Sequence, residues 1–423
     1  MLSRKFWLAG PSLLLLAVSP VSHADDYGDA RGELVAAYQQ GDFAAMRSAA
    51  QKAIAARPGY PGALFNLALA QALDADPAAS LETLKDLLAA GIDFGVADMD
   101  EFSALKELLE WEDYAGAVQR LYEPVGFAEV VATVDTADFI PEGIAVDNEG
   151  RLYLGSIRHG TLVRVDKKPT TLSTPQNGHW SVFGMRFDGD GSLWFASAAV
   201  PQFADAGDEI GRSGLFCYDI NKGEISAQAL LPDRGDAQVL GDLVIAPDGL
   251  IYTTDSITGV LYQFTPKTGE FETIVDQGVF GSPQGLVFDR TAQFLYVADY
   301  IGGLYRVTLA DGKVDKVRLQ ANVTDYGIDG LYRHGDELIV IQNGTQPNRV
   351  VAMQLGIDGL SITAGRTVAA NLEEFDEPTL GLVSGSDFIF IANSHWNRFD
   401  AENRLPDGLS GPVILRIPLN PDR

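Results

Sequence analysis

The feature that most constrains the fold is a strand–turn–strand motif that recurs six times after residue 127. In each copy, an apolar strand with a glycine near its start is followed by a turn and a second strand rich in aromatic and β-branched residues. The copies begin at Glu142, Phe183, Gly241, Gln284, Asp329 and Leu380, at intervals of 41 to 58 residues. Repeats of this size, built from short strands, are typical of propeller blades. The sequence therefore predicts a mainly β fold, a six-bladed β-propeller preceded by a small all-α domain.

The repeat also predicts how the ring closes. A third strand follows in every copy, and the sixth of these, Val413–Ile417, lies just before the end of the sequence. The sixth blade therefore lacks an outer strand, which the apolar residues 127–135 can supply. Closure of this kind removes exposed sheet edges. We expect the propeller to span residues 125–423 and to be closed by the strand at 127–135.

Residues 25–124 change to a helical period and are rich in alanine and leucine. A segment that begins at Asp42 recurs loosely at Asp76, 34 residues later. That period resembles the tetratricopeptide family, whose repeats are helix pairs. Two interpretations remain open for this region, a docking surface for a protein partner and a helical cap packed on the next domain. The last two helices are expected at Glu101–Leu109 and Tyr114–Tyr122.

The first 24 residues have the layout of a cleaved export signal. Arg4 and Lys5 precede an apolar run from Phe6 to Val18, and small residues stand at the expected cleavage positions before Asp25. The apolar run is too short for a bilayer span, which needs about 20 residues. We therefore expect a signal peptide at 1–24 and a secreted or periplasmic protein without a membrane span.

Charge and cysteine content exclude several classes of protein. With 58 acidic and 31 basic side chains, the formal charge is −27. Such a charge repels nucleic acid phosphates, so DNA or RNA partners are set aside. A single cysteine, Cys217, excludes a disulfide framework and cysteine-rich metal clusters.

Oxygen-bearing side chains are expected to converge at one mouth of the propeller channel. Inner strands begin, and second strands end, on the same face of a propeller. The starts of inner strands contribute Glu142, Asp242, Gln284 and Asp329, and the ends of second strands contribute Asp255, Asp299, Asn343 and Asn393. Carboxylate and amide oxygens in such numbers suit a hard cation, of which Ca²⁺ fits best. His159 and His395 follow second strands in neighbouring blades and are further candidates for substrate contact.

These residues resemble the gluconolactonase and senescence-marker-protein (regucalcin-like) family, and more distantly the paraoxonases and strictosidine synthases. Glu142 in Pro-Glu-Gly, Gln284 in Pro-Gln-Gly-Leu and Asp329 in Ile-Asp-Gly-Leu stand at that family's metal-ligand positions. The resemblance implies a divalent cation, Ca²⁺ or another, held by these three residues, and hydrolysis of a small-molecule lactone. It also implies that the cation polarises the carbonyl, with Asp329 and Asp242 as catalytic residues and Asp329 activating water.

Two departures from the family pattern keep a second interpretation open. Gln284 replaces an asparagine ligand, and Gly241 replaces an asparagine that contacts substrate. A non-catalytic propeller that binds a ligand or a protein partner, with the helices as its docking module, would tolerate both changes. A condensation enzyme of the strictosidine synthase type is disfavoured because the sequence shows no separate catalytic glutamate.

Two further expectations concern loops and histidines. The connection Ala198–Ser213 in the second blade is taken as the longest loop on the mouth side, and it is either a lid or a solvated acidic loop. No Ser-His-Asp arrangement is evident from the spacing of these residues.

Overall fold

The computed structural model describes residues 26–166 and 168–420. The expected signal peptide at 1–24 lies outside the described residues. Two compact units are present. The first comprises the described residues up to Pro124 together with residues 319–326 and 344–347, and the second comprises the other described residues. The sequence-based division at residue 124 did not include the two short segments in the first unit.

The first unit is built from α-helices and short 3₁₀ helices. The α-helices are α1 (Asp26–Gln40), α2 (Phe43–Ala56), α3 (Pro61–Leu73), α4 (Pro77–Ala89) and α5 (Trp111–Leu121). Asp42 and Asp76 cap α2 and α4, since each carboxylate accepts a hydrogen bond from the backbone N–H three residues later. Apolar side chains from all five helices form one core around Leu34, Met46 and Phe65.

Residues 96–98 and 100–107 form 3₁₀ helices, so the prediction of an α-helix at Glu101–Leu109 was wrong in type. Phe102 and Leu105 are fully buried, and their three-residue spacing suits the tighter 3₁₀ turn. The likeness to tetratricopeptide repeats stays a prediction. Among the described residues, no helix is long and apolar enough to cross a membrane.

The second unit is a six-bladed β-propeller, as the repeat predicted. It is closed by β1 (Glu129–Thr133), and the first three blades are complete four-stranded sheets. Blade one contains β2 (Pro141–Val146), β3 (Leu152–Ser156), β4 (Leu162–Val165) and β5 (Thr170–Ser173). Blade two contains β6 (Ser181–Phe187), β7 (Leu193–Ala198), β8 (Ser213–Asp219) and β9 (Glu224–Leu230). Blade three contains β10 (Leu240–Ile245), β11 (Ile251–Asp255), β12 (Leu261–Thr265) and β13 (Glu270–Val275).

The other three blades complete the ring. Blade four contains β14 (Pro283–Phe288), β15 (Phe294–Asp299), β16 (Gly303–Thr308) and β17 (Val314–Lys316). Blade five contains β18 (Arg318–Leu319), β19 (Ile328–His334), β20 (Glu337–Gln342), β21 (Arg349–Leu355) and β22 (Ser361–Ala370). Blade six contains β23 (Gly381–Ser384), β24 (Asp387–Ile391) and β25 (Val413–Pro418). The innermost strands β2, β6, β10, β14, β19 and β23 contact one another in that order, and β23 contacts β2.

The closing strand lies where the sequence placed it. β1 pairs antiparallel with β25, so blade six has the order β1–β25–β24–β23. A strand from before blade one thus completes the last blade, which ties the two ends of the propeller together. Val134, Ile144 and Ile414 belong to one buried cluster, so apolar contacts reinforce the pairing.

Candidate functional site

A β-bulge at the start of the innermost strand positions the site residues. In five blades the pairing with the second strand shifts at the same point, so that two inner residues face one residue of the neighbour. The bulged pairs are Glu142-Gly143, Phe183-Gly184, Gly241-Asp242, Gln284-Gly285 and Asp329-Gly330. Bulges re-aim side chains and are common beside active sites. Every predicted site residue on an inner strand lies in one of these pairs.

The glycines of the bulged pairs let neighbouring blades approach closely. A Cβ atom on Gly285 would lie 2.7 Å from the carbonyl oxygen of Asp329, and one on Gly184 would lie 2.7 Å from the Cα of Asp242. Blade three reverses the order, since Gly241 comes first and Asp242 takes the position that is glycine in the other four blades. The carboxylate of blade three, Asp242, is therefore the second residue of its bulged pair, whereas Glu142 and Asp329 are the first. The repeat in the sequence did not reveal this shift by one residue.

This packing gives a matched pair of stability predictions. We expect Gly285→Ala to destabilise the propeller by about 1–3 kcal/mol, because its methyl group would overlap backbone atoms of blade five. Gly241→Ala should cost far less, since its methyl group would meet Gln284 Oε1 at 3.6 Å, an ordinary contact distance. Thermal unfolding of the two variants measures the difference. Equal melting temperatures would show that the blades do not depend on this close approach.

Glu142 on β2 and Asp329 on β19 form the electrostatic centre of the channel mouth. Burial is the main reason that the pKa of Glu142 lies well above its usual value, and the charge of Asp329 raises it further. Burial likewise raises the pKa of Asp329 to about 7, although a hydrogen bond from Asn343 opposes the shift. Glu142 accepts a hydrogen bond of 2.7 Å from Nε1 of Trp396. Two carboxylates from separate blades therefore converge where neither is easily ionised without a positive partner.

Asp242 is buried beside the same centre, but an arginine engages it. Arg186 on β6 places Nη2 3.3 Å from Asp242 Oδ2, and the backbone N–H of Leu243 donates to Oδ1 at 2.8 Å. Burial raises the pKa of Asp242, and the Arg186 charge opposes the rise. The guanidinium also lies over the ring of Tyr332, 5.8 Å from its centroid. Asp242 is therefore better suited to hold Arg186 in the channel than to activate water.

Glu377 is a fourth carboxylate that sequence reasoning missed. It lies on the loop before β23 and has a left-handed backbone with φ of 63°. Burial raises its pKa to about 8, and the charges of Asp329 and Asp376 contribute, while the backbone N–H of Asn397 lowers it. The repeat alignment gave the blade-six position to Leu380, three residues later. The acidic pair Asp376-Glu377 before Pro378 was the available signal.

Two amide side chains complete the oxygen-rich mouth. Asn343 donates from Nδ2 to Asp329 Oδ2 at 2.7 Å, and among the described residues its buried Oδ1 has no hydrogen-bond partner. Gln284 donates from Nε2 to Ser282 at 3.1 Å. Within residues 26–166 and 168–420, no three His, Cys, Asp or Glu side chains are grouped as a metal site. A cation at this mouth would therefore depend on amide oxygens as well as carboxylates.

Asp255 and Asp299, predicted to contact substrate, accept hydrogen bonds from the backbone of nearby loops. Both are buried. Asp255 Oδ1 accepts hydrogen bonds from the backbone N–H groups of Val239, Ile257 and Thr258. Asp299 accepts from the corresponding backbone groups in blade four. Because these carboxylates tie the loops on either side of a strand end, their polarity serves the backbone of the propeller.

The remaining predicted contacts also bond within the protein. Asn393 accepts from the backbone N–H of Val413 and donates to the carbonyl of Gly411, so it secures a loop. His395 is 3% exposed, and its Nδ1 lies 2.8 Å from Asp376 Oδ2. His159 is partly exposed, with Nε2 3.0 Å from Asp138 Oδ1. Of the two histidines, His159 is the one that solvent can reach.

The loop of blade two is shorter than expected relative to the other loops of this face. Residues 392–412, between β24 and β25, form a longer connection than residues 199–212 in blade two, so the latter is not the longest loop of this face. The longer loop carries Trp396 onto Glu142. In the blade-two loop, Glu209 accepts from Nε1 of Trp180 and pairs with Arg212, which shows an ordered loop with internal bonds.

Comparison with known proteins adds a short match to one family model. A model described as strictosidine synthase-like, N-terminal, matches residues 130–165, which cover β1 to β4 and include Glu142. A search of curated proteins found no match.

Solved structures resemble the chain in fold. A gluconolactonase from Xanthomonas campestris is 16% identical, covering 71% of this chain and 92% of its own with a TM-score of 0.44. A calcium-binding regucalcin from Agrobacterium tumefaciens is 16% identical, covering 68% and 93%, at 0.48. A PQQ-bound aldose sugar dehydrogenase from Streptomyces coelicolor is 17% identical, covering 69% and 98%, at 0.46. Values at this level do not distinguish among the activities of these proteins.

Proposed function

We propose that the protein is a hydrolase of lactones or related cyclic esters that depends on a divalent cation, with Ca²⁺ the best-fitting ion. The observation that carries this proposal is the buried pair Glu142 and Asp329. Burial raises the pKa of both carboxyl groups, so ionising the two together is unfavourable unless a positive charge lies beside them. Asp242 is a further carboxylate beside this pair, and Arg186 is the cation paired with it. A hard divalent cation would offset the repulsion that remains.

The donor set fits such a cation. Glu142 and Asp329 would supply carboxylate oxygens, and the buried Oδ1 of Asn343 would supply an amide oxygen that otherwise lacks a partner among the described residues. Gln284 would supply a second amide oxygen, as the family resemblance implies. When bound, the cation would polarise the carbonyl of the ester and stabilise the charge that develops on its oxygen.

The protein's own residues would manage the protons. Asp329, oriented by the hydrogen bond from Asn343, would accept a proton from the attacking water. Glu377, whose pKa lies at about 8, would hold a proton near neutral pH and could deliver it to the departing ring oxygen. Trp396 would fix the carboxylate of Glu142 through its indole N–H. Two carboxyl groups with different environments would thus act as base and acid.

Metal content and turnover test the proposal together. The purified chain should contain about one divalent ion by elemental analysis, and lactone hydrolysis followed by pH-stat should disappear with a chelator and return with Ca²⁺. Asp190→Asn, a change in an exposed hairpin turn, serves as the control and should retain both properties. A metal-free protein that still hydrolyses lactones at full rate would contradict the cation dependence.

A non-catalytic, ligand-binding propeller is the second candidate. Gly241 favours it, because the position that bears a channel side chain in the other bulged pairs has none in blade three. Bound metal without turnover of any lactone would select this alternative, and the helices would then be examined as a docking module for a protein partner. A condensation enzyme of the strictosidine synthase type was disfavoured because the sequence showed no separate glutamate. Glu377 is such a glutamate, so that objection no longer applies.

We further propose export through the signal at 1–24, which leaves a secreted or periplasmic chain. N-terminal sequencing of the protein from the periplasm or medium should begin at Asp25. An intact Met1 in a membrane or cytoplasmic fraction would contradict this localisation.

A further inference from the structure

Three hydrogen-bonded side chains lie in the loops of blade six, and none of the three is assigned to the cation. Nδ1 of His395 lies 2.8 Å from Asp376 Oδ2, and Nε2 lies 3.4 Å from Ser410 Oγ. Asp376 precedes β23, His395 follows β24, and Ser410 lies just before β25. Two loops of one blade, residues 371–380 and 392–412, therefore bring together a carboxylate, an imidazole and a hydroxyl.

The hydrogen-bond donors and acceptors of these three side chains allow a proton to pass from Ser410 to His395. If Nδ1 carries the proton of the neutral imidazole and donates it to Asp376, Nε2 is left with a lone pair. Three groups lie within reach of Nε2: the carbonyl oxygen of Ser410 at 3.1 Å, Nδ2 of Asn393 at 3.2 Å and Oγ of Ser410 at 3.4 Å. The carbonyl oxygen cannot donate to the lone pair, whereas the amide of Asn393 and the hydroxyl of Ser410 can. The two hydrogens of Asn393 Nδ2 can be donated to Ser410 Oγ at 3.1 Å and to the carbonyl of Gly411 at 3.0 Å. In that arrangement the hydroxyl hydrogen of Ser410 is free to point at Nε2.

The environment keeps Asp376 charged and the imidazole fixed. Burial alone would raise the pKa of Asp376, but hydrogen bonds from His395 and Arg398 hold it below its usual value. His395 has a left-handed backbone with φ of 61°, a conformation that costs free energy outside glycine. The N–H of the preceding residue, Ser394, bonds the carbonyl of Asp376 at 3.1 Å and helps to hold this conformation. Strained backbone of this kind is concentrated at functional sites.

The hydroxyl of Ser410 is accessible to solvent, as the attacking group of a nucleophilic site must be. Ser410 is exposed, whereas His395 is 3% exposed beneath it. A reagent from solvent therefore meets the hydroxyl before the imidazole. We propose that Ser410, His395 and Asp376 form a second, cation-independent catalytic site that transfers acyl groups from small carboxylic esters to water.

The reaction balances in two steps. Ser410 Oγ bonds to the acyl carbon, the bond from that carbon to the alcohol oxygen breaks, and the serine proton passes through His395 Nε2 to the leaving alcohol. Water then attacks the acyl carbon, the bond to Oγ breaks, and a proton of that water returns to the serine through the same nitrogen. The products are one alcohol and one carboxylic acid. Asp376 is a positioning residue, since it holds the imidazole and does not touch the ester.

A fluorophosphonate probe tests the site on the full chain with chelator present. We expect one label per chain, located on Ser410 by peptide mass spectrometry, and a burst of one p-nitrophenol per chain from p-nitrophenyl acetate. Ser410→Ala should abolish both signals, and Asp376→Asn should slow labelling at least tenfold. Ser226→Ala, at an exposed serine of blade two, should label like the parent chain.

Ser410→Cys supplies a measurement that does not disturb the buried residues. Paired with His395, the new thiol should react with iodoacetamide at pH 6 at least tenfold faster than a free cysteine, while Cys217 is buried. Labelling elsewhere than Ser410, an unchanged rate in folded Asp376→Asn, or a thiol of ordinary reactivity would each overturn the proposal. In those cases His395 serves to hold the loop through the Ser410 carbonyl.

Discussion

Asp329→Asn should reduce kcat/KM for lactone hydrolysis by about 10²–10⁴-fold, the usual contribution of a general base. The substitution keeps the shape of the side chain but removes the carboxylate that would accept the proton of water. It also weakens cation binding, because one of the two central negative charges disappears. Initial rates over a range of Ca²⁺ concentrations separate these effects, since added cation can restore binding and cannot restore the base.

Glu142→Gln provides the comparison for this experiment. It removes the other central carboxylate, which accepts from Trp396 and is assigned no part in proton transfer. Saturating Ca²⁺ should therefore restore most of its activity, in contrast to Asp329→Asn. Full activity of Asp329→Asn at saturating Ca²⁺ would contradict the role of Asp329 as base, and full activity of both variants without added Ca²⁺ would contradict the site.

The second large effect concerns stability as a function of pH and cation. Without cation, the raised pKa values of Asp329, about 7, and Glu377, about 8, mean that the folded chain keeps protons that the unfolded chain releases. Stability should therefore fall as pH rises from about 4, near the unfolded pKa values, to about 8. Each unit of pKa difference corresponds to about 1.4 kcal/mol.

Cation should reverse this loss, and more strongly at pH 8 than at pH 5, where protons compete for the same oxygens. A cation at 100 times its Kd adds about 2.7 kcal/mol of stability. Because the propeller is larger than about 250 residues, this amounts to about 5 °C in Tm. Thermal unfolding with chelator and with Ca²⁺ at the two pH values measures the effect.

Asp329→Asn again gives a distinguishing result. Without cation at pH 8, the variant should be more stable than the parent chain, because a neutral amide replaces a buried carboxylate that repels its neighbours. It should also lose most of the stabilisation by Ca²⁺. Asp190→Asn should behave as the parent chain. Identical pH profiles for the parent and Asp329→Asn would show that the mouth carboxylates are not coupled to folding.

Most of the fold could be predicted from the periodicity of the sequence. The six copies of the strand–turn–strand repeat, from Glu142 to Leu380, predicted six blades, because each blade is built from one copy. The strand at 127–135 was predicted from an unpaired sheet edge, and β1 occupies it. The type of the short helix at 100–107 was not predictable, since an apolar spacing of three suits both helix types over so few residues.

The site was predictable only in part. Glu142 and Asp329 were found because each precedes a glycine in a repeated motif. Asp255 and Asp299 stood at equally suggestive positions, yet their oxygens accept from backbone N–H groups. A sequence shows which residues stand near the end of a strand. It does not show whether the loop backbone there has unpaired donors that need a carboxylate.

By itself, the sequence determined the number of blades, the closing strand and the identity of two central carboxylates, since all of these follow from local repetition. Tertiary structure alone decided that Glu377 joins them, that Arg186 engages Asp242, and that His395 lies between Asp376 and Ser410. These groups come from different blades or from irregular loops, where no period relates one residue to the next. Their contacts depend on how closely the blades pack and how each loop folds back, which the bulges, the inner-strand glycines and the left-handed residues of blade six set in three dimensions.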